Sequence, residues 1–383
     1  MNKFMFRKGI QKLHLWLSLV AGVFIVLIGL TGSILVFEGE ITRATHPELF
    51  QVTPGKVVSI EQALEAVKAG HEKRTIDRIY GPDFRDAYGV YYFRAKDGKE
   101  TKYVYVDPGT GKVLGERGSE SFFSWVLQLH RYLLLKDFSG AEIVGIIGFV
   151  ITFITVSGIY LWWPGLAKWT KGFIIRNSKN RYALHYDYHK VFGIISVPFL
   201  LVVSLTGALF VFDEPIFALF GAKPNTSPAK DLLISKPLDS GKLAIDQLIA
   251  NAQQSVPDGK FMQIRMPAKP EEGKPEGAVD IRMTHGYDPA GAGNVQLWLD
   301  QYSGKIIAKQ DAVTDAGLTY QTWLFPLHTG LFGGIFTKII YFIGGLIPTL
   351  LMVTGTYMWY TKRARQRLAK RMKAEKLVQP NVA

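Results

Sequence analysis

The 383-residue chain contains no cysteine. This absence excludes disulfide frameworks, thiolate zinc sites, cysteine-ligated iron–sulfur clusters, c-type haem attachment and cysteine nucleophiles. The chain also lacks the G-x-G-x-x-G and G-x-x-x-x-G-K-[ST] patterns that mark dinucleotide and phosphate-binding loops. No serine or carboxylate constellation indicates hydrolysis. Whatever chemistry the protein performs must therefore use another kind of group.

Acidic residues are scarce wherever positive charge is dense. The formal net charge is +13, but residues 1–13, 164–190 and 361–383 carry 18 Lys and Arg against two acids, Asp187 and Glu375. The remainder has 27 basic and 30 acidic residues. A charge excess confined to three short blocks beside apolar runs is typical of a membrane protein and argues against nucleic-acid binding.

Four stretches of 21 to 25 residues contain no Asp, Glu, Lys or Arg: Leu13–Phe37, Ile143–Trp163, Val191–Phe212 and Ile339–Tyr360. Each is long enough to cross a hydrocarbon core of about 30 Å at a helical rise of about 1.5 Å per residue. The first stretch exceeds the apolar region of a signal peptide and has no A-x-A cleavage site after it, so we interpret it as a retained span.

The basic blocks fix the predicted orientation. By the positive-inside rule all three are cytoplasmic, which puts both termini inside and the two long intervening segments on the far side. The predicted order is a cytoplasmic tail with span 1 (1–37), a far-side domain with an interfacial segment (38–140), span 2 (141–163), a basic loop (164–188), span 3 (189–212), a second far-side domain with an interfacial segment (213–335), span 4 (336–360) and a basic tail (361–383).

The two halves of the sequence resemble each other. Three collinear segments recur: 14–41 as 189–216, 104–113 as 297–306, and Trp125-x4-His130 as Trp323-x4-His328. The unit of span, small α+β domain, interfacial segment and span is used twice, and both copies start inside. The predicted fold is therefore a membrane protein with four transmembrane α-helices in two parallel repeats and two small α+β domains.

Four of the eight histidines form two repeat-related pairs, His14 with His189 and His130 with His328. The first pair lies at the predicted cytoplasmic face and the second at the outer face. A pseudo-two-fold axis brings equivalent residues towards each other, and facing imidazoles are what bis-histidine haem ligation requires. Zinc fits less well, because its sites normally gather four ligands in one cluster.

Three features leave alternatives open. His185 has either a helper role beside His189, four residues later on one helix face, or the role of a solvated loop residue. Arg131 is either a partner for an outer haem propionate or an interfacial arginine. A [Ser/Thr]-Gly pair in each span either flanks a macrocycle or packs helices: Thr31-Gly32, Ser157-Gly158, Thr206-Gly207 and Thr354-Gly355.

The repeated unit and three motifs resemble the PepSY-associated transmembrane helix family. The motifs are Leu129-His130-Arg-x-Leu-Leu-Leu, Leu327-His328 and Ser157-Gly-Ile-Tyr-Leu-Trp-Trp. The far-side segments resemble PepSY domains. Within that family, the form with four spans and two domains resembles ferric-siderophore reductases of the bacterial inner membrane. The resemblance implies periplasmic domains, two b haems, and haem-binding roles for His14, His130, His189 and His328.

The resulting expectation is an oxidoreductase that carries electrons through two haems to ferric siderophore on the periplasmic side. The electron donor would be a quinol or a reductase, and the other contacts would be with membrane lipid and not with nucleic acid. One alternative is a membrane-anchored PepSY-type binding or inhibitory module without redox activity. Another is a haem-containing, quinol-linked electron donor to a partner protein.

Overall fold

The computed structural model describes residues 3–98, 100–119, 121–219, 228–229, 231–270 and 275–378. The helices are α1 (Lys3–Val36), α2 (Glu38–Thr45), α3 (Ile60–Gly70), α4 (Phe122–Tyr132), α5 (Gly140–Trp162), α6 (Arg181–Ile195), α7 (Val197–Leu219), α8 (Ile245–Ser255), α9 (Ala316–Thr329) and α10 (Gly334–Val378), with 3₁₀ turns at Pro47–Phe50, Leu166–Phe173 and Leu331–Gly333. The strands are β1 (Thr75–Tyr80), β2 (Tyr91–Asp97), β3 (Glu100–Val106), β4 (Val113–Gly118), β5 (Lys260–Arg265), β6 (Val279–Thr284), β7 (Val295–Leu299) and β8 (Ile306–Asp311).

The chain forms two compact units. The helix unit comprises Met1–Val36, Val126–Asp213 and Phe336–Ala383, and the sheet unit comprises Phe37–Trp125 and Glu214–Ile335. The sequence alternates between the two units because each apolar span leads into a polar segment that folds separately.

In the part of the chain that the structure describes, four helices are long and apolar enough to cross a membrane, as the sequence predicts: Phe4–Val36, Gly140–Trp162, Val197–Leu219 and Leu331–Glu375. The third span differs in detail, because the helix breaks at Ser196 between α6 and α7. Pro198 has no N–H to donate to the carbonyl of Ile194, so the ladder of helical hydrogen bonds is interrupted there.

Small residues set the distance between neighbouring helices of the helix unit. A Cβ on Gly148 of α5 would lie 2.9 Å from the carbonyl oxygen of Ser204 in α7. A Cβ on Gly29 of α1 would lie 2.6 Å from the carbonyl oxygen of Gly345 in α10. Ser204 and Gly29 occupy corresponding positions of the two halves, as do Gly148 and Gly345. Close backbone approach at small residues is the usual way in which helices pack in lipid.

The sheet unit is built on one eight-stranded antiparallel sheet with the order β4-β3-β2-β1-β5-β6-β7-β8. Strands from the two polar segments therefore share a single sheet, joined where β1 pairs with β5 at Ile79↔Ile264. Alternate side chains of the strands point to one face, where α3 and α8 cover them. This core includes Phe93, Val104, Ile281 and Leu297, all fully buried.

Helices α3 and α8 cap each other. Both carboxylate oxygens of Asp246 in α8 accept hydrogen bonds from the first turn of α3, at the N–H groups of Ile60 (3.0 Å) and Glu61 (3.1 Å). In return, Glu61 accepts a hydrogen bond from the N–H of Ile245 at 2.8 Å. Each carboxylate satisfies N–H groups that have no partner within their own helix, and its charge suits the helix N-terminus.

Two aspartates organise the turns that follow β3 and β7. Asp107, which is only 3% exposed, accepts hydrogen bonds from the N–H groups of Thr53 and Gly109 and from the hydroxyl of Thr110. Burial alone would raise the pKa of Asp107, but these hydrogen bonds outweigh it and lower the pKa to about 2. Asp300 stands at the corresponding position after β7 and also accepts three backbone hydrogen bonds.

Replacing Asp107 with alanine is expected to destabilise the sheet unit by roughly 1–3 kcal/mol, because the hydrogen bonds from Thr53, Gly109 and Thr110 to a charged acceptor are lost. Since the folded pKa is depressed, the carboxylate stabilises the protein above about pH 4, and this contribution is lost as the pH falls towards 2. Thermal unfolding of the full chain, followed by circular dichroism, should therefore separate variant from parent at pH 6 and much less at pH 2.5. Asp97→Ala, at an exposed position in the same half of the sheet, is the control. An equal loss from both variants would contradict the assignment.

Candidate functional site

The histidine pair His14 and His189 lies inside the helix unit. His14 is on α1 and His189 is on α6. The centres of the two imidazole rings are 6.5 Å apart, and the ring planes are nearly perpendicular at 82°. Helix α1 continues without a break from Lys3 to Val36, so His14 is held on a regular helix. The two residues that the repeat equates are thus side by side.

The hydrogen bond that His14 makes fixes its tautomer. Its Nδ1 lies 2.8 Å from the hydroxyl of Ser157 in α5. That hydroxyl already donates its hydrogen to the carbonyl of Ile154 at 2.9 Å, so it accepts from His14. In the neutral ring, Nδ1 therefore carries the hydrogen, and Nε2 carries the lone pair that a metal can bind.

The hydrogen bonds of His189 also fix its tautomer. Its Nδ1 lies 3.1 Å from the carbonyl oxygen of Leu351 and 3.0 Å from the hydroxyl of Thr354 in α10. A carbonyl oxygen can only accept, so Nδ1 must be the donor. No residue in the described ranges forms a hydrogen bond with Nε2 of His14 or His189. Both Nε2 atoms therefore have a lone pair available.

His130 is held in the same way at a different height. It lies near the end of α4, and its Nδ1 is 3.0 Å from the carbonyl oxygen of Ile28 and 3.1 Å from the hydroxyl of Thr31, both in α1. The carbonyl again makes Nδ1 the donor. Residues 14 and 31 are separated by roughly 25 Å along α1, so the sites of His14 and His130 are distinct.

In three of the four [Ser/Thr]-Gly pairs, the glycine lies against the histidine that the hydroxyl binds. A Cβ would be 3.6 Å from His14 Cε1 at Gly158, 3.3 Å from His189 Cε1 at Gly355 and 3.1 Å from His130 Cε1 at Gly32. The sequence offered macrocycle contact or helix packing as roles for these pairs. In three of them the structure adds a direct contact: the hydroxyl orients the imidazole and the glycine leaves room for it.

The remaining predicted site residues are placed as follows. His328 lies in α9, in the sheet unit, and its pairing with His130 stays a prediction from the repeat. Arg131 is exposed, and its guanidinium carbon lies 5.2 Å from the ring centre of Tyr132. This contact holds the cation over an aromatic face, and a role with a propionate also stays a prediction.

His185 is not in a loop, as one of the two sequence interpretations proposed, but on α6 one turn before His189. Its ring stacks on Tyr357 at 4.0 Å between centres, and its Nδ1 lies 2.8 Å from the carbonyl oxygen of Arg181. The stacking joins α6 to α10, so this histidine has a structural contact of its own.

Asp187 was not among the predicted site residues, yet it is fully buried. It accepts hydrogen bonds from Arg176 through Nε (2.8 Å), Nη2 (3.1 Å) and the backbone N–H (3.0 Å), and Lys190 lies 3.5 Å away. The Arg176 hydrogen bond keeps the pKa of Asp187 below its usual value. This pair ties the basic segment to α6. The available signal was that Asp187 is one of only two acids in the basic blocks.

The donor set suits a haem better than a bare metal ion. Among the residues that the structure describes, no group of three or more His, Asp or Glu side chains is placed to hold a metal ion. Imidazoles that bind one iron from opposite sides, through bonds of about 2 Å, have ring centres roughly 6 Å apart. The 6.5 Å between His14 and His189 fits that arrangement, in which a porphyrin supplies the other four nitrogens.

A comparison with curated protein sequences finds none that matches the chain. The family model of the PepSY-associated TM region matches residues 11–362. This range includes all four predicted haem ligands and nearly all of both units. The chain therefore belongs to the PepSY-associated transmembrane family.

Proposed function

We propose that this protein is a di-haem b electron-transfer protein of the bacterial inner membrane that reduces ferric siderophore on the periplasmic side and releases iron(II). The observation that carries the proposal is the pair of neighbouring imidazoles at His14 and His189, whose ring centres are 6.5 Å apart and whose Nδ1 atoms are each fixed by a hydrogen bond. Ligands oriented in this way are what a low-spin haem with two histidine ligands needs.

In this proposal, some residues bind the haem iron and others orient the residues that bind it. His14 and His189 would hold the iron of the inner haem, and the hydroxyls of Ser157 and Thr354 hold their rings in the binding tautomer. A bound haem supplies one-electron transfer, because its iron alternates between the ferric and ferrous states. The apolar helices around it exclude water and provide a low dielectric.

The second haem follows from the repeat. His130 and His328 occupy corresponding places in the two halves, and Thr31 orients His130 as Ser157 orients His14. The roughly 25 Å between the two levels on α1 is most of the thickness of a hydrocarbon core. Two haems at these levels would carry electrons from one face of the membrane to the other.

The charge distribution supports the proposed sidedness. The three basic blocks are cytoplasmic by the positive-inside rule, so the N- and C-termini lie inside and the sheet unit is periplasmic. The cytoplasmic segments are short, whereas a siderophore needs a concave surface of its own size. The donor, a quinol or a reductase, would act on the inner side. One electron reduces one siderophore-bound iron(III) to iron(II), which siderophore oxygens hold far more weakly.

The test is an absorbance spectrum of the purified protein with haem quantification as the pyridine haemochrome. We expect a b-type Soret band, about two haems per chain, and reoxidation of the dithionite-reduced protein by ferrioxamine B. Colourless protein would overturn the proposal and favour a binding module without cofactors. Reduced haems that ferric siderophores do not reoxidise would instead favour an electron donor to a partner protein.

A further inference from the structure

The face of the sheet opposite α3 and α8 carries a cluster of arginines. Arg78 of β1 pairs with Arg265 of β5, and Arg265 pairs with Asp280 of β6. Arg282, two residues after Asp280, points to the same face because side chains alternate along a strand. Three guanidinium groups on adjacent strands thus share one carboxylate, which leaves a local excess of positive charge.

The charges in this cluster are only partly compensated. Arg265 Nε lies 3.9 Å from Asp280 Oδ2, too far for a hydrogen bond, and Asp280 Oδ2 accepts instead from Gln296 at 2.9 Å. Three buried polar atoms of this cluster have no hydrogen-bond partner among the described residues: Arg265 Nε, Arg282 Nε and Asp280 Oδ1. Buried polar atoms without partners are rare and call for an explanation.

The electrostatics at Arg265 point to an anion. Burial, followed by the neighbouring charges of Arg282 and Arg78, lowers the pKa of Arg265 to about 10. The guanidinium therefore remains charged at neutral pH in an environment that disfavours its charge. A bound anion would offset the neighbouring positive charges, because a guanidinium forms charge-assisted hydrogen bonds with an anionic oxygen.

A cavity of about 280 Å³ adjoins the cluster. Arg265 and Asp280 supply its charged groups, and the indole of Trp298 lies beside them, paired with Asp280 across β6 and β7. The other lining residues are small or apolar: Leu233, Met266, Pro267, Gly277 and Ala278. Asp280 faces three guanidinium groups, those of Arg78, Arg265 and Arg282, so the charged end of this otherwise apolar cavity keeps an excess of positive charge, which suits a ligand with an anionic end and an apolar body.

The first half of the sheet provides an internal comparison. Bulges fall at matching places, between Ile76 and Arg78 in β1 and between Phe261 and Gln263 in β5. Counting from them, the cross-strand triplet Arg265–Asp280–Trp298 matches the triplet Tyr80–Tyr92–Tyr105.

The matching tyrosines are packed together. Tyr80 and Tyr92 stack at 4.1 Å, Tyr92 and Tyr105 at 5.7 Å, and all three are at most 8% exposed. Phe84 packs over the Tyr80–Tyr92 pair. The first half thus fills with aromatic rings the positions at which the second half places a charged pair beside a cavity. Aromatic side chains at these positions are therefore sufficient to pack this face of the sheet, so packing alone does not explain the charged pair and the cavity in the second half.

We propose that the cavity at Arg265 and Trp298 binds a small aryl carboxylate. The planar carboxylate matches the fork of donors on Arg265, with Arg282 and Arg78 adding positive charge, and the ring lies against Trp298 and the apolar walls. This site uses none of the haem-ligating histidines, so it stands whether or not the proposed function is correct.

The proposal is tested by ¹⁹F NMR of 4-fluorobenzoate with the full-length protein in detergent. We expect line broadening that unlabelled benzoate reverses and that equal concentrations of acetate and inorganic phosphate do not. Arg265→Gln should weaken binding at least about tenfold, and Arg282→Gln by a smaller factor, because only Arg265 lines the cavity. Lys305→Gln, which removes an exposed positive charge from the same half of the sheet, should bind like the parent.

A second variant distinguishes loss of binding from loss of folding. Ala278→Leu fills the cavity but keeps every arginine, so it should abolish binding while circular dichroism shows the sheet intact. Three results would each overturn the proposal. The first is that the parent protein does not broaden the signal of 4-fluorobenzoate at ~10 mM without competitor, a concentration that corresponds to the weakest affinity of interest for so small a ligand. The others are equal binding by Arg265→Gln and displacement by phosphate as effective as by benzoate.

Discussion

Replacing His14 with alanine is expected to remove one haem per chain and to leave the other bound. His14 and His189 are in contact distance within the helix unit, whereas His130 is held against Ile28 and Thr31, at another level of α1. Loss of an axial ligand at one level should not disturb the imidazole at the other. The pyridine haemochrome assay should therefore fall from about two haems per chain to about one.

The matched control is His185→Ala. His185 lies on the same helix as His189, but its ring stacks on Tyr357 and its Nδ1 is bonded to Arg181. This variant should keep both haems. Two haems at full occupancy in His14→Ala, or the loss of one in His185→Ala, would show that the inner pair is assigned wrongly.

The helix unit was predictable from the sequence because its signal is local. Four runs without charge are long enough to span a bilayer, and in the structure three of them form single helices and the third run is shared by α6 and α7. The break at Ser196 was not predicted, although Pro198 gives its cause. Hydropathy averages over a window and does not register the loss of one backbone donor.

The pair of His14 and His189 could be predicted from the sequence, because equivalent residues of two repeats lie close together when they are near the pseudo-two-fold axis. The way in which each imidazole is held could not, since it depends on backbone carbonyls such as those of Leu351 and Ile28. Every residue has a carbonyl, so no sequence pattern marks the one that faces a histidine. The [Ser/Thr]-Gly pairs were visible, but their partners depend on how the helices pack.

The sheet illustrates a different limit. The recurring segments 104–113 and 297–306 cover the turns between β3 and β4 and between β7 and β8, yet nothing in them indicates that β1 pairs with β5. Alternation specifies which side chains share a face but not which strand comes next. The arginine cluster exists only because that pairing brings Arg78 beside Arg265. Sites made by strand neighbours from distant segments are therefore hidden until the topology is known.

Replacing His328 with alanine is expected to abolish ferric-siderophore reduction while the inner haem still accepts electrons. His328 is the predicted ligand of the outer haem together with His130, and the outer level is where electrons would leave for the substrate. Without that exit, reduction should fall to the rate measured in the absence of protein. His285→Ala is the control, because His285 lies in the same unit, where its backbone is bonded to Asn294, and no ligand role is proposed for it.

The place of the product can be decided independently in vesicles of known orientation. The segments predicted to be cytoplasmic are short and basic, so we propose that the siderophore is reduced on the side of the sheet unit. An iron(II) chelator confined to the side of the sheet unit should capture the product in the parent protein and none in His328→Ala. Capture only on the side of the basic segments would refute the proposed direction even if both haems were present, because electrons would then leave at the level of His14 and His189.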